Sequence, residues 1–99
     1  MKKIVLVCAA GMSTSMMVKK MQEAAKEDNY ECTIEAHPIA EASEVGKDAD
    51  IMLLGPQVRF QLGKVKELVN CPVEAIDMAA YGTMDGKKVM DFVKGVIGE

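Results

Sequence analysis

The segment from Cys8 to Ser15 combines a thiol with small and hydroxyl-bearing residues. It reads C-A-A-G-M-S-T-S and joins a short apolar run to a helical pattern. Backbone N–H groups at such a junction can converge on an anion that also sees the positive end of the helix. Gly11 can adopt a positive φ, and hydroxyl donors come from Ser13, Thr14 and Ser15. The segment therefore predicts a cradle for a phosphate-sized dianion.

Cys8 is the first residue of this cradle. A thiolate at the N-terminus of a helix is stabilised by the helix, which makes the cysteine a nucleophile. The direct interpretation is a cysteine that attacks phosphorus. The structural alternative is a small buried hydrophobe that ends a strand, as free cysteines often are. The hydroxyl-rich loop favours the functional interpretation, because a merely structural cysteine needs no such set of donors.

Other phosphate-binding motifs do not fit this chain. G-x-G-x-x-G is absent, and the loop lacks the Gly-Lys-Ser/Thr ending of a Walker A motif, so nucleotide binding is disfavoured. A cysteine phosphatase loop has the form C-x5-R, in which the arginine holds transition-state charge with a bidentate fork. The sixth residue after Cys8 is Thr14. The charge clamp of a phosphatase is therefore missing.

Apolar patterning indicates the elements that position this loop. Strands are predicted over 2–7, 30–36, 50–54 and 73–76; helices are predicted from Gly11 to about 28–29 and over 41–46, 58–69 and 85–97. Strands that alternate with helices predict an α/β fold with a parallel sheet. Ligands bind such sheets beyond the carboxyl ends of the strands. The loops of interest therefore begin at Cys8, His37, Gly55 and Asp77.

Composition and charge restrict the class of protein. The chain has 99 residues, of which 49% are hydrophobic and 27% charged, so we expect a single domain over residues 1–99. Twelve basic and 15 acidic residues give a net charge of −3, which argues against nucleic-acid binding as a main function. No apolar stretch is long enough for a membrane span, and no signal peptide is evident, so a cytoplasmic location is expected. Three cysteines without a C-x-x-C pair predict neither a disulfide framework nor a metal site.

Three segments carry a resemblance to a known family. The run C-A-A-G-M-S-T-S-M-M after K-K-I-V-L-V resembles the phosphorylation loop of the lactose/cellobiose-type enzyme IIB components of the bacterial sugar phosphotransferase system. The segments G-P-Q-V at 55–58 and I-D-M-A-A-Y-G-T-M-D-G at 76–86 are also similar to that family. The resemblance covers the whole chain.

The resemblance implies a fold and a phosphoryl route. The fold is a single four-stranded parallel sheet of order 2-1-3-4, flanked by helices and similar to low-molecular-weight tyrosine phosphatases. Cys8 would accept phosphate from a phosphohistidine of the IIA protein and pass it to a sugar of the cellobiose, chitobiose or lactose class, bound by the membrane IIC permease. The backbone of the following residues would hold the phosphate: Ala9, Ala10, Gly11, Met12, Ser13, Thr14 and Ser15.

The resemblance also implies how the chain works with its partners. We expect no cofactor and an approach to the membrane only through IIC. A monomer is expected because a compact carrier that docks two partners has no evident need to self-associate. The missing arginine agrees with this role, since a carrier must hold phosphate without hydrolysing it. Two other hypotheses remain open. One is a hydrolase like the low-molecular-weight cysteine phosphatases, and the other is a regulatory module that binds a phosphate or carboxylate ligand without chemistry.

Further residues form a predicted rim of the site. Met12 and Met16 are expected to be exposed beside Cys8, on a surface that fits two partners, although Met16 could equally fold onto the core. Gln57 and Arg59 follow a strand end and could contact phosphate or a partner, but a helix start and a solvated charge explain them nearly as well.

For the remaining polar candidates and the other two cysteines, we favour structural explanations over catalytic ones. Tyr81 could donate to phosphate and Asp77 could act as an acid, but packing by Tyr81 and helix capping by Asp77 are the favoured interpretations. His37 is expected to be a surface histidine. Cys32 and Cys71 are expected to be structural.

Overall fold

Four parallel strands position the site. In the computed structural model, which describes residues 1–9 and 12–98 with the side chains of Met12 and Ser13 excepted, they form one sheet of order β2-β1-β3-β4. The strands are β1 (Lys2–Cys8), β2 (Cys32–Pro38), β3 (Ile51–Leu54) and β4 (Val73–Ala75). The predicted α/β class and strand order 2-1-3-4 are confirmed.

The central strand β1 is buried on both faces. It pairs with β2 over its full length and with β3 from Ile4 to Val7. Ile4 and Leu6 point into one apolar cluster, and Val5 and Val7 into the other. A continuous apolar run is what a strand with two covered faces requires. The last residue of β1 is thereby fixed by two neighbouring strands.

Helices cover both faces of the sheet. The α-helices of the described residues are α1 (Met12–Glu27), α2 (Ala42–Val45), α3 (Leu62–Leu68), α4 (Met78–Gly82) and α5 (Gly86–Ile97). Helices α1, α4 and α5 pack on the face of Ile4 and Leu6, whereas α2 and α3 pack on the other face. Helix α5 begins against α1 at Gly86, where a Cβ atom would clash with the backbone of Lys20 and Met21.

Several predicted boundaries differ from the structure. The predicted helix over 58–69 is a 3₁₀ segment, Pro56–Gln61, followed by α3. Tight 3₁₀ turns are frequent at the start of helices, and Pro56 supplies the fixed φ that begins one here. The second strand starts two residues later than predicted, because the N–H of Tyr30 donates to the carbonyl of Ala25 and closes the end of α1.

Helix α4 is an element that the apolar spacing did not predict. It has five residues, too few for a helical period to be visible. Its first turn is capped by Asp77, whose Oδ2 accepts from the N–H of Ala80 at 3.0 Å. The capping interpretation of Asp77 is confirmed. Among the helices of residues 1–9 and 12–98, none is long and apolar enough to cross a membrane.

Candidate active site

The ends of all four strands meet at one edge of the sheet. Cys8 ends β1, the pair His37 and Pro38 ends β2, Gly55 follows β3, and Ile76 and Asp77 follow β4. Because parallel strands finish on the same side, the loops singled out from the sequence are brought together.

Cys8 lies buried at the centre of this edge. Its side chain is 2% exposed, and its Sγ accepts a hydrogen bond from Thr14 Oγ1 at 2.7 Å. Thr14 is 0% exposed and lies in the first turn of α1. The sequence predicts a thiol at the mouth of the loop, but the structure buries this thiol. The hydroxyl group of Thr14, which stands where a cysteine phosphatase has its arginine, donates to the sulfur.

A second hydroxyl group, that of Tyr81, contacts the hydroxyl of Thr14. The Oη atom of Tyr81, on α4, lies 3.3 Å from Thr14 Oγ1. The ring of Tyr81 packs in the apolar cluster of α1 and α5, and the residue is 7% exposed. The favoured packing interpretation is therefore confirmed, and a contact of Tyr81 with phosphate stays a prediction.

The start of α1 supplies backbone donors beside Cys8. The helix begins at Met12, so the N–H groups of Met12, Ser13 and Thr14 lie ahead of the first bond of the helical ladder. No acidic side chain occupies its first turn. These groups suit an anion held above the thiol. The predicted cradle residues Ala10 and Gly11 lie outside the described residues, as do the side chains of Met12 and Ser13.

A cavity of about 110 Å³ opens beside the thiol. Its lining consists of Cys8, Ala9, Ser15, Ala36, His37 and Pro38. A water molecule takes up about 30 Å³ in the liquid, so a cavity of this size accommodates a small anion with its hydration. A larger cavity of about 470 Å³ lies between β4 and α5 and does not include Cys8. Volume alone therefore does not identify the site.

His37 lines the smaller cavity, whereas the sequence predicts a surface histidine at the start of a strand-end loop. The side chain is half-buried, with Nε2 at 3.0 Å from Glu35 Oε1 and Nδ1 at 3.2 Å from Glu41 Oε1. The hydrogen bond to His37 holds the pKa of Glu35 below its ordinary value. The available signal was its position at the end of the strand next to β1.

The rim of the site exposes large apolar side chains. Met16 is exposed as expected, and so are Met78 and Phe60, the latter at 79%. Arg59 Nη1 donates to Met78 Sδ at 3.1 Å, which joins the segment after β3 to α4. Gln57 is exposed in the same segment. The sequence predicts Met16, Gln57 and Arg59 as rim residues but does not indicate Phe60, because Phe60 does not follow the apolar spacing of its helical segment.

The other two cysteines lack these features. Cys32 and Cys71 are half-buried, each against an apolar cluster on one face of the sheet. Burial raises the pKa of both thiols above the ordinary value, which disfavours the nucleophilic thiolate. Within the described part of the chain, no group of three His, Cys, Asp or Glu side chains could hold a metal ion.

A parallel sheet whose central strand ends in a cysteine below a helix N-terminus defines the class of phosphatase-like α/β folds. Two solved structures share the fold over nearly the whole chain. One is the lactose-specific IIB domain from Streptococcus pneumoniae, with a TM-score of 0.82, 20% identity and 96% of each chain covered. The other is the cellobiose-specific IIB component from Borrelia burgdorferi, with a TM-score of 0.81, 40% identity and coverage of 98% of this chain and 92% of that one.

Sequence comparison identifies the family within this class. The family "PTS system, Lactose/Cellobiose specific IIB subunit" matches residues 3–92. The oligo-beta-mannoside-specific EIIB component of Bacillus subtilis (strain 168) is 46% identical over 92% of this chain and 91% of its own length. The galactose-specific EIIB component of Lactococcus lactis subsp. cremoris is 42% identical over 90% of each chain. The chain belongs to the lactose/cellobiose-specific IIB family of the sugar phosphotransferase system, whose members are phosphotransferases that work with IIA and IIC partners.

Proposed function

We propose that Cys8 carries a phosphoryl group from a phosphohistidine of a IIA protein to a sugar bound by a membrane IIC component. The observation that carries the proposal is the placement of the Cys8 sulfur. It ends the central strand, lies beside the N-terminus of α1, and accepts a hydrogen bond from Thr14 at 2.7 Å. A nucleophile and an anion site thus meet at one point.

The proposed transfer consists of two substitutions at phosphorus. In the first, the N–P bond of phosphohistidine breaks as the S–P bond forms, and a proton on the thiol is taken by the departing imidazole. In the second, the S–P bond breaks as an O–P bond to a sugar hydroxyl forms; the electron pair stays on sulfur, and the hydroxyl proton leaves to a base on the sugar-binding side. The N–H groups at the start of α1 hold the phosphoryl oxygens in both states.

Hydrolysis is disfavoured by the groups around Cys8. The sequence contains one arginine, Arg59, and its guanidinium donates to Met78 on the rim. The position of the phosphatase arginine is taken by Thr14, which is fully buried. Attack by water therefore lacks the bidentate clamp that stabilises its transition state in cysteine phosphatases. A carrier is favoured over a hydrolase on this ground.

The names of relatives support a class of acceptor, and exposed side chains support a docking surface. The names of the relatives specify oligo-beta-mannoside, galactose and cellobiose. We propose a sugar of the cellobiose, chitobiose or lactose class, bound entirely by IIC, for this chain. The whole chain acts as one IIB domain and as a monomer. Met16, Phe60 and Met78 are exposed on the segments that follow β1, β3 and β4, and such apolar side chains suit successive docking of IIA and IIC.

Intact-mass measurement after incubation with a phosphorylated IIA protein tests the proposal. The wild-type chain should gain one phosphoryl group, and Cys8→Ser should gain none while keeping its fold, because a serine hydroxyl is a far poorer nucleophile. Cys32→Ala and Cys71→Ala are matched controls that should be phosphorylated normally. A folded Cys8→Ser chain that still takes up phosphate would overturn the proposal, and no mass gain in the wild type would favour a binding module.

A further inference from the structure

Three residues from distant parts of the chain form a buried polar line. Tyr81 Oη lies 3.3 Å from Thr14 Oγ1, which lies 2.7 Å from Cys8 Sγ, and the three side chains are each at most 7% exposed. Tyr81 and Thr14 are 67 residues apart in sequence. Polar groups are rarely brought together in a core without a role, since each must be satisfied there.

The direction of these hydrogen bonds follows from the proton count. A threonine hydroxyl has a single hydrogen, and that hydrogen is donated to Cys8 Sγ. In the contact between the two hydroxyl groups, Thr14 is therefore the acceptor and Tyr81 the donor. Each donation strengthens the next, because a hydroxyl that accepts a hydrogen bond becomes a better donor. Both hydrogen bonds are therefore donated in the direction of the Cys8 sulfur.

We propose that Thr14 is a catalytic residue that stabilises the Cys8 thiolate as the leaving group of phosphoryl transfer, and that Tyr81 is the positioning residue that orients the Thr14 hydroxyl. The proposal rests on the proposed phosphocysteine function and adds to it a division of labour. Backbone N–H groups of α1 hold the phosphoryl oxygens, whereas the hydroxyl line serves the sulfur. The residue that replaces the phosphatase arginine thus acts on the leaving atom and not on the phosphate.

The chemistry of the second transfer explains why a carrier needs this device. When the S–P bond breaks, its electron pair remains on Sγ, which belongs to a side chain that is 2% exposed. A buried anion is stabilised by each donor that reaches it, so the Thr14 hydroxyl lowers the barrier to release of the phosphoryl group. The Thr14 hydroxyl stabilises phosphocysteine less than it stabilises the thiolate, because the sulfur of phosphocysteine carries no full negative charge. Thr14 therefore shifts the equilibrium toward the free thiolate.

Helix α4 holds Tyr81 in place for this role. The side chain of Asp77 caps the helix through the N–H of Ala80 at 3.0 Å, and the N–H of Tyr81 donates to the carbonyl of Asp77 at 2.9 Å. The ring packs in the apolar cluster between α1 and α5. The hydroxyl group therefore approaches Thr14 from a rigid frame, and little entropy is lost when the hydrogen bond forms.

The first test compares Thr14→Val, which removes the hydroxyl from a side chain of the same shape, with Thr14→Ser, which keeps it. Each variant is equilibrated with phosphorylated IIA, and intact mass gives the phosphorylated fraction of both proteins. In Thr14→Val we expect phosphocysteine to be favoured by roughly tenfold and transfer to sugar to slow by roughly tenfold or more, the size expected for a hydrogen bond to a charged atom. Thr14→Ser should lie close to wild type, as should the control Thr33→Val on the exposed face of β2.

The second test removes one oxygen atom from each tyrosine. Tyr81→Phe should change the same two quantities in the same direction by about two- to fivefold, since it acts through the polarisation of Thr14. Tyr30→Phe is the matched control, because Tyr30 lies before β2 at the opposite edge of the sheet. If Thr14→Val does not fold in a thermal unfolding experiment, Tyr81→Phe provides the test on its own.

The outcomes separate this inference from the proposed function. A wild-type chain that takes up no phosphate contradicts the proposed function itself. Normal uptake with unchanged partition and rate in Thr14→Val and Tyr81→Phe overturns the hydroxyl line alone. A fall in the phosphocysteine fraction of Thr14→Val would also overturn it, because Thr14 would then stabilise the phosphorylated state. Equal defects in Thr14→Val and Thr14→Ser would show that Thr14 acts by packing.

Discussion

The two edges of the sheet distribute polar and apolar groups in opposite ways. Where the strands begin, charges lie outside: Lys94 Nζ pairs with Asp28 Oδ2 at 2.8 Å and lies 5.1 Å from the ring centroid of Tyr30. Where the strands end, Thr14 is buried against a thiol, while Phe60 is 79% exposed. The first edge follows the usual partition of a folded protein, and the second inverts it.

The difference between the two edges suggests that different residues stabilise the fold and perform the proposed function. Exposed charge pairs can be exchanged at little cost, because solvent screens them and each side chain loses entropy on pairing. A buried hydroxyl and an exposed aromatic ring add little to the stability of the fold, and we propose that they serve the chemistry and the docking of the site. Variants at the two edges should therefore affect different measurements.

The largest expected effect is on the packing of α5 against α1, which supports both edges of the sheet. In Gly86→Ala the new Cβ clashes with the backbone of Lys20 and Met21, so α5 must move away from α1. We expect a loss of about 2–3 kcal/mol in the free energy of unfolding, measured by urea denaturation. The matched control is Gly95→Ala on the same helix, where a Cβ meets no atom within 4 Å. It should gain about 0.5–1 kcal/mol, because alanine favours a helix over glycine. Equal stability of the two variants would contradict close packing of α1 on α5.

A smaller effect should be confined to the edge where the strands end. Phe60→Ser removes an exposed ring, so the free energy of unfolding should stay within about 0.5 kcal/mol of wild type. The KM for phosphorylated IIA should rise about tenfold, as expected when an aromatic anchor leaves an interface. Leu68→Ser is the control, since Leu68 is also exposed but ends α3, away from Cys8. An unchanged KM in Phe60→Ser would remove Phe60 from the docking surface.

The smallest effect should be confined to the edge where the strands begin. The hydrogen bond from Lys94 and the nearby charge of Lys87 hold the pKa of Asp28 below its ordinary value. A carboxyl group with a lowered folded pKa stabilises the native state at neutral pH, and this contribution disappears as the pH falls through the folded value. Asp28→Asn should therefore be slightly less stable than wild type near neutrality, and the difference should vanish as unfolding is followed from about pH 5 to pH 2. Phosphoryl transfer should be unchanged; a transfer defect would show that the two edges are coupled.

The sequence predicted the frame of the molecule better than the direction of its side chains. The apolar run of β1 and the loop after Cys8 follow from local pattern, and the strand order follows from family resemblance. Apolar spacing does not predict short elements. Helix α4 has five residues, and the 3₁₀ segment Pro56–Gln61 interrupts the apolar spacing of the helix predicted over 58–69. Strand β2 is displaced because a backbone hydrogen bond of Tyr30 ends α1, a detail that apolar periodicity does not carry.

The site illustrates the same limit. Cys8 and Thr14 were both placed in the loop from residue types, but whether the hydroxyl faces phosphate or sulfur depends on how α1 packs on β1. Tyr81 comes from the far end of the chain, and its contact with Thr14 exists only because β4 lies beside β3. His37 likewise reaches the cavity of Cys8 through the pairing of β2 with β1. These are long-range consequences of register.

The enclosure of Cys8 also governs what happens to the thiol under oxidising conditions. A disulfide bond requires two sulfur atoms at about 2.05 Å in a defined geometry. With 2% of its surface exposed, Cys8 cannot bring its sulfur to that distance from the sulfur of a second copy unless both sites open. Covalent dimers would therefore form first through the half-buried Cys32 and Cys71. Burial of Cys8 therefore protects the thiol for which we propose the phosphoryl-carrying role from oxidative crosslinking.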